Sequence, residues 1–310
     1  MTNAPLLAWT DRGLHCAIGG FYIDPIRSVD RAVITHAHAD HARPGMRHYL
    51  AHAGTVALLR LRLGATISAQ ALAYGEELYM NGVRVSLHPA GHCVGSAQVR
   101  VEYAGEVWVA SGDYKRGPDP YAASYEPVRC HTFITESTFA LPIYRWPDDD
   151  VLVSDIIRWA NVHSACGITP VLRCYPLGKA QRLVGLLTPH LNVRVDASIQ
   201  RTNDALGIVL PAPSQHHTTI VISSSNTPPV EGPHAVAFAS GWTLTEPGRA
   251  RSAGIGFPVS DHADWDGLVR SVDESCAERI LVTHGFTDVF ARYLRERGYE
   301  RRACRYDGVR

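Results

Sequence analysis

Apolar residues recur along this chain in two rhythms. Between Leu14 and about Ile134 they come in short alternating or β-branched runs separated by Gly, Pro and Asp. That pattern predicts strands over Phe21-Tyr-Ile, Ala32-Val-Ile-Thr, Val83-Arg-Val-Ser-Leu, Gln98-Val-Arg-Val-Glu-Tyr, Val107-Trp-Val-Ala and Thr132-Phe-Ile-Thr, with one helix around Val56 to Arg62. From Asp148 the spacing changes to that of amphipathic helices, over Val151 to Val162 and Lys179 to Leu187. Strands Pro170-Val-Leu-Arg-Cys-Tyr, Thr219-Ile-Val-Ile-Ser and Ala235-Val-Ala-Phe-Ala are expected among them, an alternation that suggests a small α/β unit on a parallel sheet. The chain then returns to a strand, helix, strand, helix order, with Arg279-Ile-Leu-Val-Thr as a buried strand and Phe286 to Arg297 as a helix stopped by Gly298.

At 310 residues, 45% apolar and 19% charged, the composition is that of a globular protein able to bury a full core. Thirty basic and thirty acidic residues cancel, so no global positive field advertises nucleic acid and any polyanion site must be local. The seven cysteines (16, 93, 130, 166, 174, 276 and 304) are odd in number and form no C-x-x-C pair. A disulfide framework is therefore not expected, and a reducing cytoplasm fits best. No apolar run approaches the length of a membrane span, and the first residues lack the apolar region of a signal peptide.

The chemistry is concentrated in Val33-Ile-Thr-His-Ala-His-Ala-Asp-His41, where His36, His38, Asp40 and His41 follow a predicted strand. An extended segment puts positions 36 and 38 on one face, and a turn into a helix after them is expected to redirect Asp40 and His41 toward a second ion beside the first. Further residues capable of ligation or proton transfer sit where predicted strands end in polar or glycine-bearing loops: Asp24, His92, Asp113, Glu136 and His284, with His262 in Pro258-Val-Ser-Asp-His-Ala-Asp264. Each alone is weak; their recurrence in one chain carries the signal.

In order and context, Asp24, the His36 to His41 motif, His92 and Asp113 resemble the metallo-β-lactamase fold. Glu136-Ser-Thr, Ser260-Asp-His-Ala-Asp and Thr283-His-Gly resemble the three extra motifs of the β-CASP nucleases. Leu177-Gly-Lys-Ala-Gln181, Ala239-Ser-Gly-Trp242 and Gly256 to Trp265 are similar to the bacterial ligase-associated DNA exonucleases, relatives of the crosslink-repair nucleases. The resemblance spans nearly the whole chain; residues 189 to 233 carry none of it.

That resemblance implies an α/β architecture: an αββα metallo-β-lactamase sandwich made of residues 1–138 and 252–310, with a small α/β β-CASP cap inserted over 139–251 and the site in the cleft between them. It implies two divalent metal ions, one held by His36, His38 and His92, the other by Asp40, His41 and His284, with Asp113 bridging. Imidazole-rich ligation suits zinc, with manganese or iron as alternatives. Asp24 is read as an acceptor that orients a ligating imidazole. His262 is expected to protonate the leaving oxygen, supported by Glu136, with Asp40 and Asp113 completing the catalytic set. Phosphate contacts are expected from Lys179, Ser260, Lys115 and Arg116, and from Arg249 and Arg251. The implied activity is a DNA-repair exonuclease acting on single-stranded DNA from an end, 5′ to 3′, linked to an ATP-dependent DNA ligase and a helicase. An RNA-processing β-CASP nuclease is the alternative, because His284 is shared with RNA-cutting members. A silent nucleic-acid-binding paralogue is disfavoured by the intact ligand set, and a small-molecule hydrolase leaves Glu136, His262 and His284 without a role.

Overall fold

The structure is a computed structural model that describes residues 5–212, 218–224, 230–245, 255–299 and 303–305. Two compact units divide the chain. One comprises Met1–Pro118, Ala122–Ile143 and His262–Arg310, the other Asp119–Tyr121 and Tyr144–Asp261.

The larger unit holds two sheets. Six strands form the first, in the order Ala8–Thr10, Gly13–Cys16, Phe21–Ile23, Arg31–Val33, His48–Ala51 and Ala69–Ala71. Seven form the second, in the order Ala303–Arg305, Arg279–Gly285, Thr132–Ser137, Glu106–Ala110, Ala97–Tyr103, Val83–Pro89 and Glu77–Met80. The period of two along the strands explains the layering. Trp108 and Ala110 join Phe21, Val33, Val85 and Val99 in a core shared by both sheets, while Val107 and Val109 point the other way, to a core with Phe133, Leu268 and Phe290. Helices Trp265–Ser275 and Thr287–Leu294 supply that second core. On the far side of the first sheet, helix Ala53–Leu63 packs Val56 and Leu59 against Ala32, Ile34 and Tyr49. The order of layers is therefore helix, sheet, sheet, helix. Because both faces of the second sheet are covered, the strand Thr132–Ser137 is buried along its whole length.

The smaller unit is a five-stranded, all-parallel sheet ordered Asn192–Val195, Thr219–Ser223, Thr169–Arg173, His234–Ala239 and Ile255–Phe257. Helices Asp149–Ala165, Lys179–Leu187 and Ala197–Leu206 pack on it through Ile156, Leu183, Val184 and Ile199. Helix Ala197–Leu206 lies in the stretch where the sequence offered no recognisable motif, yet both of its ends carry local signals. Asp196 accepts hydrogen bonds from the amides of Ser198 and Ile199 at 2.9 Å, and Gly207 closes the helix in the left-handed conformation. The sequence reading ended this unit at residue 251. In the structure Ile255–Phe257 adds to the edge of its sheet, and the unit runs to Asp261.

Other boundaries also move. The strand expected over Ala32 to Thr35 spans Arg31–Val33, which releases Ile34, Thr35 and His36 from the sheet. The last helix widens at Arg295–Tyr299, where Gly298 adopts φ 94°. No disulfide joins the six described cysteines that have placed side chains. Among the described residues, no helix is long and apolar enough to cross a membrane.

Candidate metal centre

Strand direction brings the candidate residues to one edge of the larger unit. Glu106–Ala110, Thr132–Ser137 and Arg279–Gly285 are adjacent and parallel, so Asp113, Glu136 and His284 emerge at neighbouring carboxyl ends. Val83–Pro89 runs the same way, because it and Glu106–Ala110 both pair antiparallel to Ala97–Tyr103, and it delivers His92. In the first sheet Phe21–Ile23 and Arg31–Val33 are parallel neighbours that lead into Asp24 and His36. Two of these loops are packed so closely that only glycine fits. A Cβ on Gly112, just before Asp113, would stand 2.7 Å from the Cβ of Thr35, and one on Gly91, just before His92, would stand 2.2 Å from the carbonyl oxygen of Lys115.

A hydrogen-bond chain sets the protonation of the imidazoles. The Thr35 amide donates to Asp24 Oδ1 at 2.8 Å and the Thr35 hydroxyl donates to Asp24 Oδ2 at 2.6 Å. Having given up its proton, that hydroxyl can only accept from His36 Nδ1, 3.0 Å away. His41 Nδ1 donates to the same Asp24 Oδ2 at 2.7 Å. Both rings thereby carry a proton on Nδ1 and turn Nε2 toward the cluster. Asp24 holds this arrangement from a left-handed backbone, φ 43°, a conformation uncommon outside glycine and concentrated at functional sites.

The Nε2 atoms meet at Asp113. Its Oδ2 lies 3.6 Å from His36 Nε2, 3.5 Å from His41 Nε2 and 3.9 Å from His92 Nε2. His92 Nε2 is in turn 3.1 Å from His38 Nδ1. Donor atoms of His36, His38, His92 and Asp113, all four buried, lie within 4.8 Å of one another. Burial, and after it the neighbouring His41, His92 and His38 rings, push the His36 pKa well below the ordinary imidazole value. Burial also opposes charge on His41, but the Asp113 and Asp24 carboxylates outweigh it and raise that pKa well above the ordinary value. For Asp113 burial favours the neutral acid, and the His41, His262 and His36 rings overcome it, holding the carboxyl well below its usual range. The second expected ligand set is looser. His41 and His284 have ring centroids 5.2 Å apart, and Asp40 is 71% exposed with its Oδ2 3.8 Å from His41 Nε2.

Beside this cluster stands a His–carboxylate pair, with Glu136 buried and His262 partly exposed. His262 Nδ1 is 2.9 Å and 3.1 Å from the two oxygens of Glu136. Glu136 Oε1 also accepts the Tyr114 amide at 2.7 Å, while the Tyr114 carbonyl accepts the Ala263 amide at 2.6 Å. The loop bearing His262 is thus tied to the loop bearing Asp113. The His262 and His92 ring centroids are 4.7 Å apart, and Phe139 closes the other side of His262 at 5.8 Å.

Known proteins are similar to this sequence. A protein of Opitutus terrae named probable DNA ligase is 33% identical over 93% of this chain and 30% of its own length. Endoribonuclease YSH1 of Gibberella zeae is 27% identical over 60% of this chain and 27% of its own, and DNA cross-link repair protein SNM1 of Arabidopsis thaliana is 25% identical over 47% and 32%. The chain is a relative of the β-CASP metallo-β-lactamase nucleases. It spans about a third or less of the length of these relatives. A solved structure of a protein of unknown function from Enterococcus faecalis shares the fold, with TM-score 0.62 and 12% identity over 83% of this chain and 76% of that one. No family model matches the chain.

A divalent cation, which this relationship implies, fits this chain on a direct observation: His36 Nε2 is buried, is left unprotonated by the Thr35 contact and has no hydrogen-bond partner. A cation among His36, His38, His92 and Asp113 satisfies that atom. The phosphate ligands expected from sequence are placed differently. Lys115 is buried with its ammonium 3.0 Å from the Pro118 carbonyl, and Arg116 pairs with Glu274 at 2.6 Å while lying 4.6 Å over the Tyr125 ring. Lys179 pairs with Asp261 at 2.6 Å and Ser260 is buried. Arg249 and Arg251 lie outside the described residues. Thr35, which sequence reasoning passed over, carries no residue-type signal, since a threonine is neither a common ligand nor a general acid.

Replacing Thr35 with valine should weaken divalent-metal affinity about 10- to 100-fold, measured by competition with a chromogenic chelator, while Thr35→Ser retains it. Equal affinity in Thr35→Val would show that the hydroxyl does not set the His36 tautomer.

Proposed function

We propose that this protein is a metal-dependent nuclease, and specifically a DNA exonuclease of repair that hydrolyses single-stranded DNA from an end, 5′ to 3′. The observation that carries the nuclease reading is the His262–Glu136 pair set against a buried His/Asp cluster. Phosphodiester cleavage needs both parts, a cationic centre for the phosphate and a proton for the leaving oxygen.

In this reading one ion is held by His36, His38 and His92, the other by Asp40, His41 and His284, with Asp113 common to both. Bound there, divalent cations supply Lewis-acid stabilisation of the phosphodiester oxygens and activation of water. The protein's own groups do the rest. Glu136 engages Nδ1 of His262 and favours the imidazolium, which leaves Nε2 as the nitrogen that hands a proton to the departing oxygen. The Tyr114 amide, donating to Glu136, fixes the carboxylate so that the imidazole keeps one orientation. Asp24 and Thr35 hold His36 and His41 with Nε2 forward. The smaller unit is proposed as the β-CASP cap, inserted between the two parts of the metallo-β-lactamase domain.

DNA as substrate, and a working link to an ATP-dependent DNA ligase and a helicase, are supported by the names of two relatives: the probable DNA ligase, matched over 93% of this chain, and the cross-link repair protein. A second reading, RNA cleavage, is supported by the relative named endoribonuclease and by His284, whose ring lies beside that of His41.

Changing His262 to alanine, or Glu136 to glutamine, should lower the cleavage rate about 100- to 10,000-fold while metal content and single-strand affinity stay unchanged. Release of metal from His262→Ala would make His262 a ligand and assign the proton to another group. For substrate, a closed circular single strand should resist a dose of enzyme that degrades its linear form. Rapid nicking of the circle makes the protein an endonuclease, and faster cutting of RNA than of a matched DNA strand promotes the RNA reading.

A further inference from the structure

Helix Ala53–Leu63 touches two of the loops that converge on the His/Asp cluster, one at each of its ends. Its amino end meets the loop of His92. The buried Thr55 hydroxyl donates to the Gly95 carbonyl at 2.8 Å, and a Cβ on Gly95 would stand 2.4 Å from the Thr55 nitrogen, so helix and loop are in backbone contact. A second link runs beside the first. His52, whose ring accepts from the Gly54 amide at the start of the helix, stacks on Tyr74 with centroids 3.9 Å apart, and the Tyr74 hydroxyl donates to the Ser96 carbonyl at 2.8 Å. Ser96 Oγ in turn accepts the amides of His92 and Cys93, each at 3.1 Å.

The carboxyl end of the helix meets the loop of His36 to His41. Arg62 Nη1 donates to the carbonyl of Ala37 at 2.5 Å and to that of Ala42 at 3.5 Å. These carbonyls flank a turn closed by the Ala42 amide on the His38 carbonyl at 2.8 Å, so one guanidinium holds both arms of it. From Thr55 to Arg62 the helix axis runs about 10 Å. Val56 and Leu59, packed against Ala32, Ile34 and Tyr49, fix the helix against sliding. The two loops then meet where His92 Nε2 lies 3.1 Å from His38 Nδ1.

We propose that this helix is a strut, with Thr55 and Arg62 as positioning residues that set the gap between His38 and His92 before a cation binds. Neither residue is a ligand or a proton donor to substrate. The inference rests on the metal-centre reading for the purpose of the gap. Its physical content is coupling: a strut works only with both ends attached, so releasing one end frees the gap and releasing the other adds little.

A double-mutant cycle read by zinc affinity, in competition with a chromogenic chelator, tests the strut on the full-length protein. Thr55→Val and Arg62→Met should each weaken zinc about tenfold, and the double variant should be no more than about threefold weaker than either single one. Independent contacts about 10 Å apart would instead multiply to about 100-fold. Thr55→Ser and Arg62→Lys, which keep the donors, should retain most of the affinity, and Arg60→Met, which removes an exposed charge from the same last turn, should leave it unchanged. Hydrogen exchange in the metal-free protein supplies a readout that needs no zinc. Either single variant should quicken exchange about tenfold at both the Ala42 and the Ser96 amides, which bond the His38 and Cys93 carbonyls. Quickening confined to the loop that the altered residue touches, or affinity losses that multiply, overturns the strut. A wild-type chain that binds no zinc yet shows the coupled exchange overturns the metal-centre reading and not the strut.

Discussion

Asp24 takes hydrogen bonds from the Thr35 amide, the Thr35 hydroxyl and His41 Nδ1, and the state of two imidazoles follows from that one carboxylate. Through the hydroxyl it dictates that His36 carries its proton on Nδ1; directly, it does the same for His41. Were either ring in the other tautomer, a proton rather than a lone pair would be directed at Asp113. Outer contacts of this kind are what turn a group of histidines into a ligand set.

The cost of that arrangement lies in its burial. Four imidazoles and a carboxylate are gathered out of water, and neither protonating the rings nor leaving them empty satisfies every atom. Charging His36 is opposed by burial and by its neighbours, while His41 is drawn toward the charged form by Asp113 and Asp24. A cation held by these residues would accept the imidazole nitrogens together with the carboxylate charge, and such binding would favour the folded chain. The Glu136–His262 pair has its own partners, the Tyr114 amide and the Phe139 ring, and it adjoins this cluster, since the His262 ring helps hold the Asp113 carboxyl ionised.

Much of this was legible in the sequence because it is local. The alternation from Val33 to His38 and the glycine-bearing loops before His92 and Asp113 announce strand ends that converge, and parallel pairing brings those ends to one edge. What escaped was set by partners far along the chain. Arg116 is committed to Glu274, 158 positions away, and Lys179 to Asp261, so neither could be recognised as engaged from its own neighbourhood. Strands of three or four residues such as Ala8–Thr10, His48–Ala51 and Ala69–Ala71 are too short to display a period, and only pairing in a sheet defines them. Ile255–Phe257 was misassigned for the same reason: three residues belong to whichever sheet edge they meet. Thr35 was invisible because its role is to be a donor and an acceptor at once between Asp24 and His36, which geometry alone discloses.

The central claim is that His36 Nε2 exists to bind a cation. Anomalous diffraction from crystals of the zinc-loaded protein, recorded on both sides of the zinc edge, tests it most directly. A peak is expected at a coordination distance of about 2.0–2.2 Å from His36 Nε2, shared with His38, His92 and Asp113. A zinc ion found elsewhere on the molecule, with His36 Nε2 still lacking a ligand, would contradict it.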